Sequence, residues 1–128
     1  MNRADSINLL PIYFYYNDYS IRPDAFENLE NIIAIMNKYP SIEIQLKSYT
    51  DCRGSAVYNQ FLSEQRAATT VAYIQTKIAY PERISGIGLG ENDLVNNCAC
   101  EGDEKSFCSE AEHQRNRRTV FFIIDKSK

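Results

Sequence analysis

The four prolines, at positions 11, 23, 40 and 81, fall where the hydrophobic period of the chain changes. A proline neither donates to a ladder nor continues a helix, so these positions divide the sequence into elements. Leu9–Tyr16 is rich in β-branched and aromatic residues, carries Pro11 only near its start and ends at the turn-forming Asn17-Asp18, which predicts a first strand. Pro23 suits a first helical turn, and Asp24 and Glu27 suit the positive end of a helix dipole. Phe26, Leu29, Ile32, Ile33 and Met36 then recur at helical spacing up to the stop at Pro40. Ile42, Ile44 and Leu46 alternate with Glu43, Gln45 and Lys47, the period of a strand with one covered face. After the polar exit 48–55, the stretch 57–80 has no internal Gly or Pro and predicts a long second helix that stops at Pro81.

Ile84–Leu89 is a weaker strand, because its glycines add no packing and mark close backbone approach. Asn92–Glu112 is a long polar segment holding three of the four cysteines, and Thr119–Ile124 closes the chain as an apolar strand. The expected order is β-α-β-α-β-loop-β. Right-handed crossovers put both main helices on one face of the sheet, and the last strand can enter in either direction. The fold class is an α/β sandwich with a mixed parallel/antiparallel sheet. No internal repeat or low-complexity run offers another architecture.

At 128 residues and 44% apolar composition, the chain has room for one core of ordinary size. Its 14 basic and 17 acidic side chains give a net charge of −3, which argues against nucleic acid or anionic lipid as partner. No apolar run is long enough to span a bilayer, and the N-terminal stretch has no signal-type apolar region. Such a chain either stays where it is made or is one domain of a longer exported protein.

On the second helix, Asn59 and Arg66 stand two turns apart and share a face, roughly 10 Å apart along the axis. Phe61, Ala67, Ala68, Val71, Ala72, Ile74, Ile78 and Ala79 cover the broad opposite side, which predicts that this side packs on the sheet and that Arg66 points away from the core. Asp51 precedes the helix at the C-terminal end of a strand, the position where ligands sit in open α/β arrangements, and the helix start adds backbone N–H groups. A carboxylate and a guanidinium facing one cleft either pair with each other or, kept apart, take a zwitterion between them. Spacing alone does not separate the two.

Ile12-Tyr13-Phe14 with Asn17, Thr50-Asp51-Cys52-Arg53-Gly54-Ser55, Tyr58-Asn59, Leu62-Ser63, Arg66-Ala67, Gly88-Leu89-Gly90-Glu91 and Asn116–Val120 together resemble the OmpA-like peptidoglycan-binding domain, the type of the OmpA C-terminus, Pal and MotB. The resemblance runs in order over nearly the whole chain. It implies a single domain over 1–128, with a core of about 7–125, cut from a longer outer-membrane protein whose membrane end is a barrel, a lipoprotein or stator-like. It also implies non-covalent binding of the peptide stems of peptidoglycan at the periplasmic face of the Gram-negative outer membrane, with no catalytic activity, cofactor or metal.

By the same resemblance, Asp51 binds the free amino acid end of meso-diaminopimelate and Arg66 takes its carboxylate. Asn17 and Asn59 line the same pocket, Leu62 stands with them, and an arginine of the Asn116-Arg117-Arg118 triplet reaches the stem peptide, with both Arg117 and Arg118 open. The chain departs from the family at Tyr49, where the family usually has His. Most of the aromatic residues are expected in the core, while Tyr49 and Tyr58 flank the site.

Cys98, Cys100, Cys108 and His113 have a spacing that a four-ligand zinc site could use, though it is not that of a standard finger. In the oxidising compartment that the resemblance implies, two disulfides are favoured, with the pairing of Cys52, Cys98, Cys100 and Cys108 open. Cys52 reaches the others only if the loop folds back over the pocket mouth. His113 beside a cysteine nucleophile would be the start of a hydrolase, but no cysteine here has a nucleophile's context. A cell-wall hydrolase and a docking domain for another envelope protein, working through residues 97–109, are the competing functions.

Overall fold

The computed structural model describes residues 9–100 and 108–124. Four strands form one sheet: β1 (Ile12–Tyr13), β2 (Glu43–Ser48), β3 (Ile84–Gly88) and β4 (Arg118–Ile124), in the order β1-β4-β2-β3. β2 and β3 run parallel, and β4 enters antiparallel between β1 and β2. The mixed sheet is therefore the expected one, and the last strand enters between its predecessors. The ends of the expected core at residues 7, 8 and 125 lie outside the described residues.

Two long helices, α1 (Phe26–Lys38) and α2 (Ala56–Gln75), cover one face. Pro23–Ala25 forms a 3-10 turn that leads into α1, and the backbone N–H of Tyr39 closes it on Ile35 before Pro40. The inward residues of β2, Ile44 and Leu46, meet Leu29, Ile32 and Met36 of α1, Ile74 of α2 and Phe121 of β4 in one core. On the opposite face the Lys47 ammonium lies over the exposed Phe122 ring, 5.0 Å from its centroid.

Gly88 shows why a strand-weakening residue stands in β3. A Cβ there would lie 2.3 Å from the Glu64 backbone nitrogen and 2.6 Å from Ser63, so only glycine lets α2 settle so close to the sheet. That contact also fixes the rotation of α2, and it corrects the sequence reading of this helix. The buried stripe is Asn59, Leu62, Ser63, Arg66, Ala67, Thr70 and Ile74, whereas Phe61 is half exposed and Ala68, Ala72 and Ala79 face solvent. Arg66 does not point away from the interior; it is 0% exposed. Alanines count as apolar on a wheel but lose little when left wet, so an alanine-rich helix is oriented by its tightest contact rather than by its mean hydropathy.

The other differences are at ends and in the long loop. β1 is two residues where eight were expected, because beyond Phe14 the carbonyls of Tyr15 and Asp18 turn to a side chain instead of a neighbouring strand. Within the polar segment a short helix, α3 (Glu110–Gln114), starts at Ser109. Ser109 and Glu112 satisfy each other's backbone N–H in a capping box, a motif present in the sequence at S-x-x-E spacing and not read there.

Candidate functional site

The C-terminal ends of β1, β2 and β3 and the start of β4 open on the same side, and their loops meet the first half of α2 there. Gly54, at φ +98°, lets the chain turn from Asp51 into α2, and the Ser55 hydroxyl caps the helix by accepting from the Tyr58 N–H at 3.0 Å. That cap uses one of the free donors that made the helix start a candidate anion site. Between these loops lies a narrow cleft of about 30 Å³, lined by Asn17, Thr50, Asp51, Asn59, Leu62, Arg66 and Arg117 and closed at the rim by Tyr16, Arg53 and Tyr58. Its size admits two or three waters, at about 10 to 15 Å³ of such volume each.

Asp51 and Arg66 both line this cleft and are not bonded to each other. Arg66 donates from Nε to the Asp18 carbonyl at 2.8 Å, from Nη1 to Tyr49 at 3.1 Å and from Nη2 to Tyr15 at 3.1 Å. These bonds hold the exits of β1 and β2 together. They use three of the five N–H groups of a guanidinium and leave one on each terminal nitrogen. Among the described residues no carboxylate pairs with Arg66. Burial, reinforced by the charge of Arg117, pushes its pKa down to about 10, so it stays a cation at neutral pH.

Asp51 is 2% exposed and heavily bonded. Its Oδ1 accepts from the Arg53 backbone N–H at 2.9 Å and from Arg53 Nε at 3.3 Å, and its Oδ2 accepts from Arg53 Nη2 at 2.8 Å and Arg117 Nη1 at 3.0 Å. Burial raises the carboxyl pKa, but the bonds from Arg53 and Arg117 outweigh it and hold the group below the usual carboxylate range. Asn59 braces the loop, donating to the Asp51 carbonyl at 3.3 Å and to Glu91 at 2.8 Å. Asn17, in a left-handed turn at φ 57°, accepts from the Tyr58 hydroxyl across the mouth. The Thr50 hydroxyl is buried with no partner among the described residues.

The structure separates the two arginines that the sequence left open. Arg117 is in the cleft wall, donating to Phe14 O at 2.7 Å and to both Asp51 and Glu110. Arg118, one residue on, turns to the other side of the sheet, where it stacks on the Tyr49 ring at 3.9 Å and donates to the Asp93 carbonyl at 2.8 Å. Tyr49 therefore does not flank the cleft as expected. The alternation that buries Ser48 beneath the helices sends the next ring to the opposite face, and only the Tyr49 carbonyl serves the site. Tyr58 is at the rim.

Sequence reasoning missed Arg53 and Glu110. Glu110 accepts from Arg53 at 3.1 Å and from Arg117 at 2.7 Å, so three arginines and two carboxylates meet at one mouth. The capping box at Ser109 was the signal that would have placed Glu110 in a first helical turn. All four cysteines are paired, Cys52 with Cys100 and Cys98 with Cys108. The loop thus folds back to the pocket as reaching Cys52 requires. Cys98, Cys108 and Glu112 lie close together, but the two sulfurs are bonded to each other and offer no thiolate to a metal. His113 is buried at the end of α3, its Nδ1 without a partner among the described residues. Residues 101–107 of the segment considered for docking lie outside the described residues.

The chain is 31% identical over 118 residues to the photosystem I P700 chlorophyll a apoprotein A2 of Gloeobacter violaceus, a match covering 90% of this chain and 13% of that protein. It is 25% identical over 109 residues to the peptidoglycan-associated lipoprotein of Buchnera aphidicola, covering 85% of this chain and 58% of that one. The chain thus spans only part of the length of either relative. The crystal structure of the peptidoglycan-associated lipoprotein of Burkholderia pseudomallei superposes with a TM-score of 0.73 at 21% identity, over 89% of each chain, which shows a shared fold. The model of the OmpA family matches residues 13–106, nearly three-quarters of the sequence, and the chain belongs to the OmpA family.

Proposed function

We propose that this domain binds peptidoglycan non-covalently through the meso-diaminopimelate of the stem peptide, and so ties a longer envelope protein to the cell wall. The observation that carries this reading is Arg66, a fully buried guanidinium that lies over the Phe14 ring, hydrogen-bonds among the described residues only to backbone carbonyls, and lines the same cleft as Asp51. Burying a cation with no acidic partner costs stability. Two of the five N–H groups of Arg66 are left unused beside the cleft, where an incoming anion would complete them. The free end of diaminopimelate carries an ammonium and a carboxylate on one carbon, so Asp51 answers one charge and Arg66 the other. Asn59 and Asn17 supply polar walls and Leu62 an apolar floor. Arg117 holds Asp51 in place and stands nearer the ligand than Arg118, whose side chain serves the back of the sheet.

Family membership and a relative named as peptidoglycan-associated support the reading, as do two disulfides, which persist in an oxidising compartment such as the periplasm. The place of action is the periplasmic face of the outer membrane, and the described residues belong to a single domain of the longer protein. With all cysteines bonded, no thiol is available to a hydrolytic mechanism.

Calorimetric titration with muropeptides tests the proposal. A lysine-type stem keeps the ammonium and lacks the terminal carboxylate, so it loses the Arg66 contact. We expect it to bind about 30-fold more weakly than the diaminopimelate form, with a comparable loss for Asp51→Asn on the latter. Equal affinity for the two stems would refute the assignment.

A further inference from the structure

The place that Asp51 offers to a cation is already taken. An ionised carboxylate has about four acceptor positions, and Arg53 with Arg117 fills all of them. The two arginines hold their places differently. Arg117 has a side chain 4% exposed and is fastened at once to Phe14 O, Asp51 and Glu110. Arg53 has a side chain 26% exposed and rests on the Tyr16 ring at 4.2 Å, a ring that is itself half in solvent. Its Nη2 lies between two carboxylates, 2.8 Å from Asp51 and 3.1 Å from Glu110.

We propose that Arg53 is a built-in occupant of the ammonium position, and that Glu110 is the carboxylate that keeps it when a ligand displaces it from Asp51. The proposal rests on the reading of the cleft as a receptor for an amino acid terminus. Displacement exchanges one cation for another on Asp51, so the buried carboxylate is never left alone. The released guanidinium swings toward a half-exposed partner it already touches, where the attraction is modest and screened. A ligand with a carboxylate but no ammonium gives Arg53 no reason to leave. Arg53 thereby makes the site demand both charges on one ligand, and its departure opens a cleft too small, as it stands, for anything but water. The cysteine segment gains a purpose from this, since Cys108 immediately precedes the capping box that sets Glu110 at the mouth.

The test is a double-mutant cycle read by calorimetry with a diaminopimelate-containing muropeptide. Arg53→Ala empties the position and should tighten binding about fivefold, the scale of a half-exposed ion pair, while Arg53→Lys, which keeps a cation there, should stay closer to wild type. Glu110→Gln should weaken binding severalfold in the wild-type background and clearly less in Arg53→Ala, where only its bond to Arg117 is left to lose. Weaker binding by Arg53→Ala, or an equal effect of Glu110→Gln with and without Arg53, would overturn the proposal. Should neither wild type nor Arg53→Ala bind the muropeptide, the peptidoglycan reading fails. Side-chain NMR of the free protein then still judges the occupant: Nε–H exchange at Arg53 must be markedly faster than at Arg117, and equally slow exchange rules it out.

Discussion

Two buried arginines stand at opposite ends of this sheet, and among the described residues each hydrogen-bonds only to backbone carbonyls. Arg83 sits before β3, at the N-terminal end of the parallel strands, and makes five bonds to the carbonyls of Met36, Tyr39, Ile42 and Ala79. Arg66 sits at the other end and makes three. Arg83 ties the end of α1, the start of β2 and the turn after α2 into one knot, and its donors are nearly used up. Arg66 ties the exits of β1 and β2 and keeps two donors in reserve beside a cleft. The same side chain is a strut at one end and, on the proposed reading, a receptor at the other. What differs is how much of its hydrogen-bonding capacity the fold itself consumes.

Separating the ends by mutation should expose that difference. The receptor end is made of loops and depends on cross-links, so the largest effect is expected from Cys52→Ser with Cys100→Ser. Opening a bridge between residues 48 apart should cost about 4 kcal/mol in denaturant unfolding and weaken muropeptide binding with it, since Cys52 adjoins Asp51. Retention of full affinity would show that the Asp51 loop holds its shape unaided. Next in size is the arginine pair itself. Arg83→Met should cost about 3 kcal/mol of stability by stranding carbonyls, and leave affinity within twofold. Arg66→Lys should cost about 2 kcal/mol of binding with a smaller loss of stability, because an ammonium cannot serve three carbonyls and fork onto a carboxylate as well. Parallel losses in both assays for both variants would erase the distinction.

The smallest effect is a pH dependence confined to the receptor end. Burial, and then the charge of Arg53, lower the His113 pKa below its ordinary 6.5. The unfolded chain therefore takes up a proton there before the folded one does, so stability is full above about pH 6.5 and falls as the pH drops. Thermal midpoints should decline between pH 7 and pH 5, and His113→Gln should flatten that decline. Asp51 and Glu110, whose pKa values are also lowered, lose their contributions only at pH values below the ordinary carboxylate range. A slope unchanged in His113→Gln would assign it to another group.

Most of the architecture was legible because the prolines and the change of period between Leu46 and Arg66 are local properties. The cleft was legible in part. Asp51, Asn17, Asn59, Leu62 and Arg66 meet where a strand end faces a helix start, a rule of topology rather than of side chains. The burial of Arg66 was not legible, since it follows from the contact of Gly88 with Ser63 and Glu64, and a helical wheel weighs composition while contact decides orientation. Nor was the split between Arg117 and Arg118, which depends on the register of β4 to a single residue. Arg53 and Glu110 were overlooked because their partnership spans 57 positions and is closed by a loop whose course is set by the sulfur bridges and by long-range side-chain bonds such as Asn96 to Glu112 O.

The Cys52–Cys100 bridge has a mechanical consequence. If the domain grips a wall polymer as proposed, it is pulled through its ligand, and the load enters at Asp51. The neighbouring sulfur passes that tension covalently into a second stretch of backbone, so the grip does not rely on the hydrogen bonds of one short loop. Under tension the pocket should fail by release of its ligand before its walls tear.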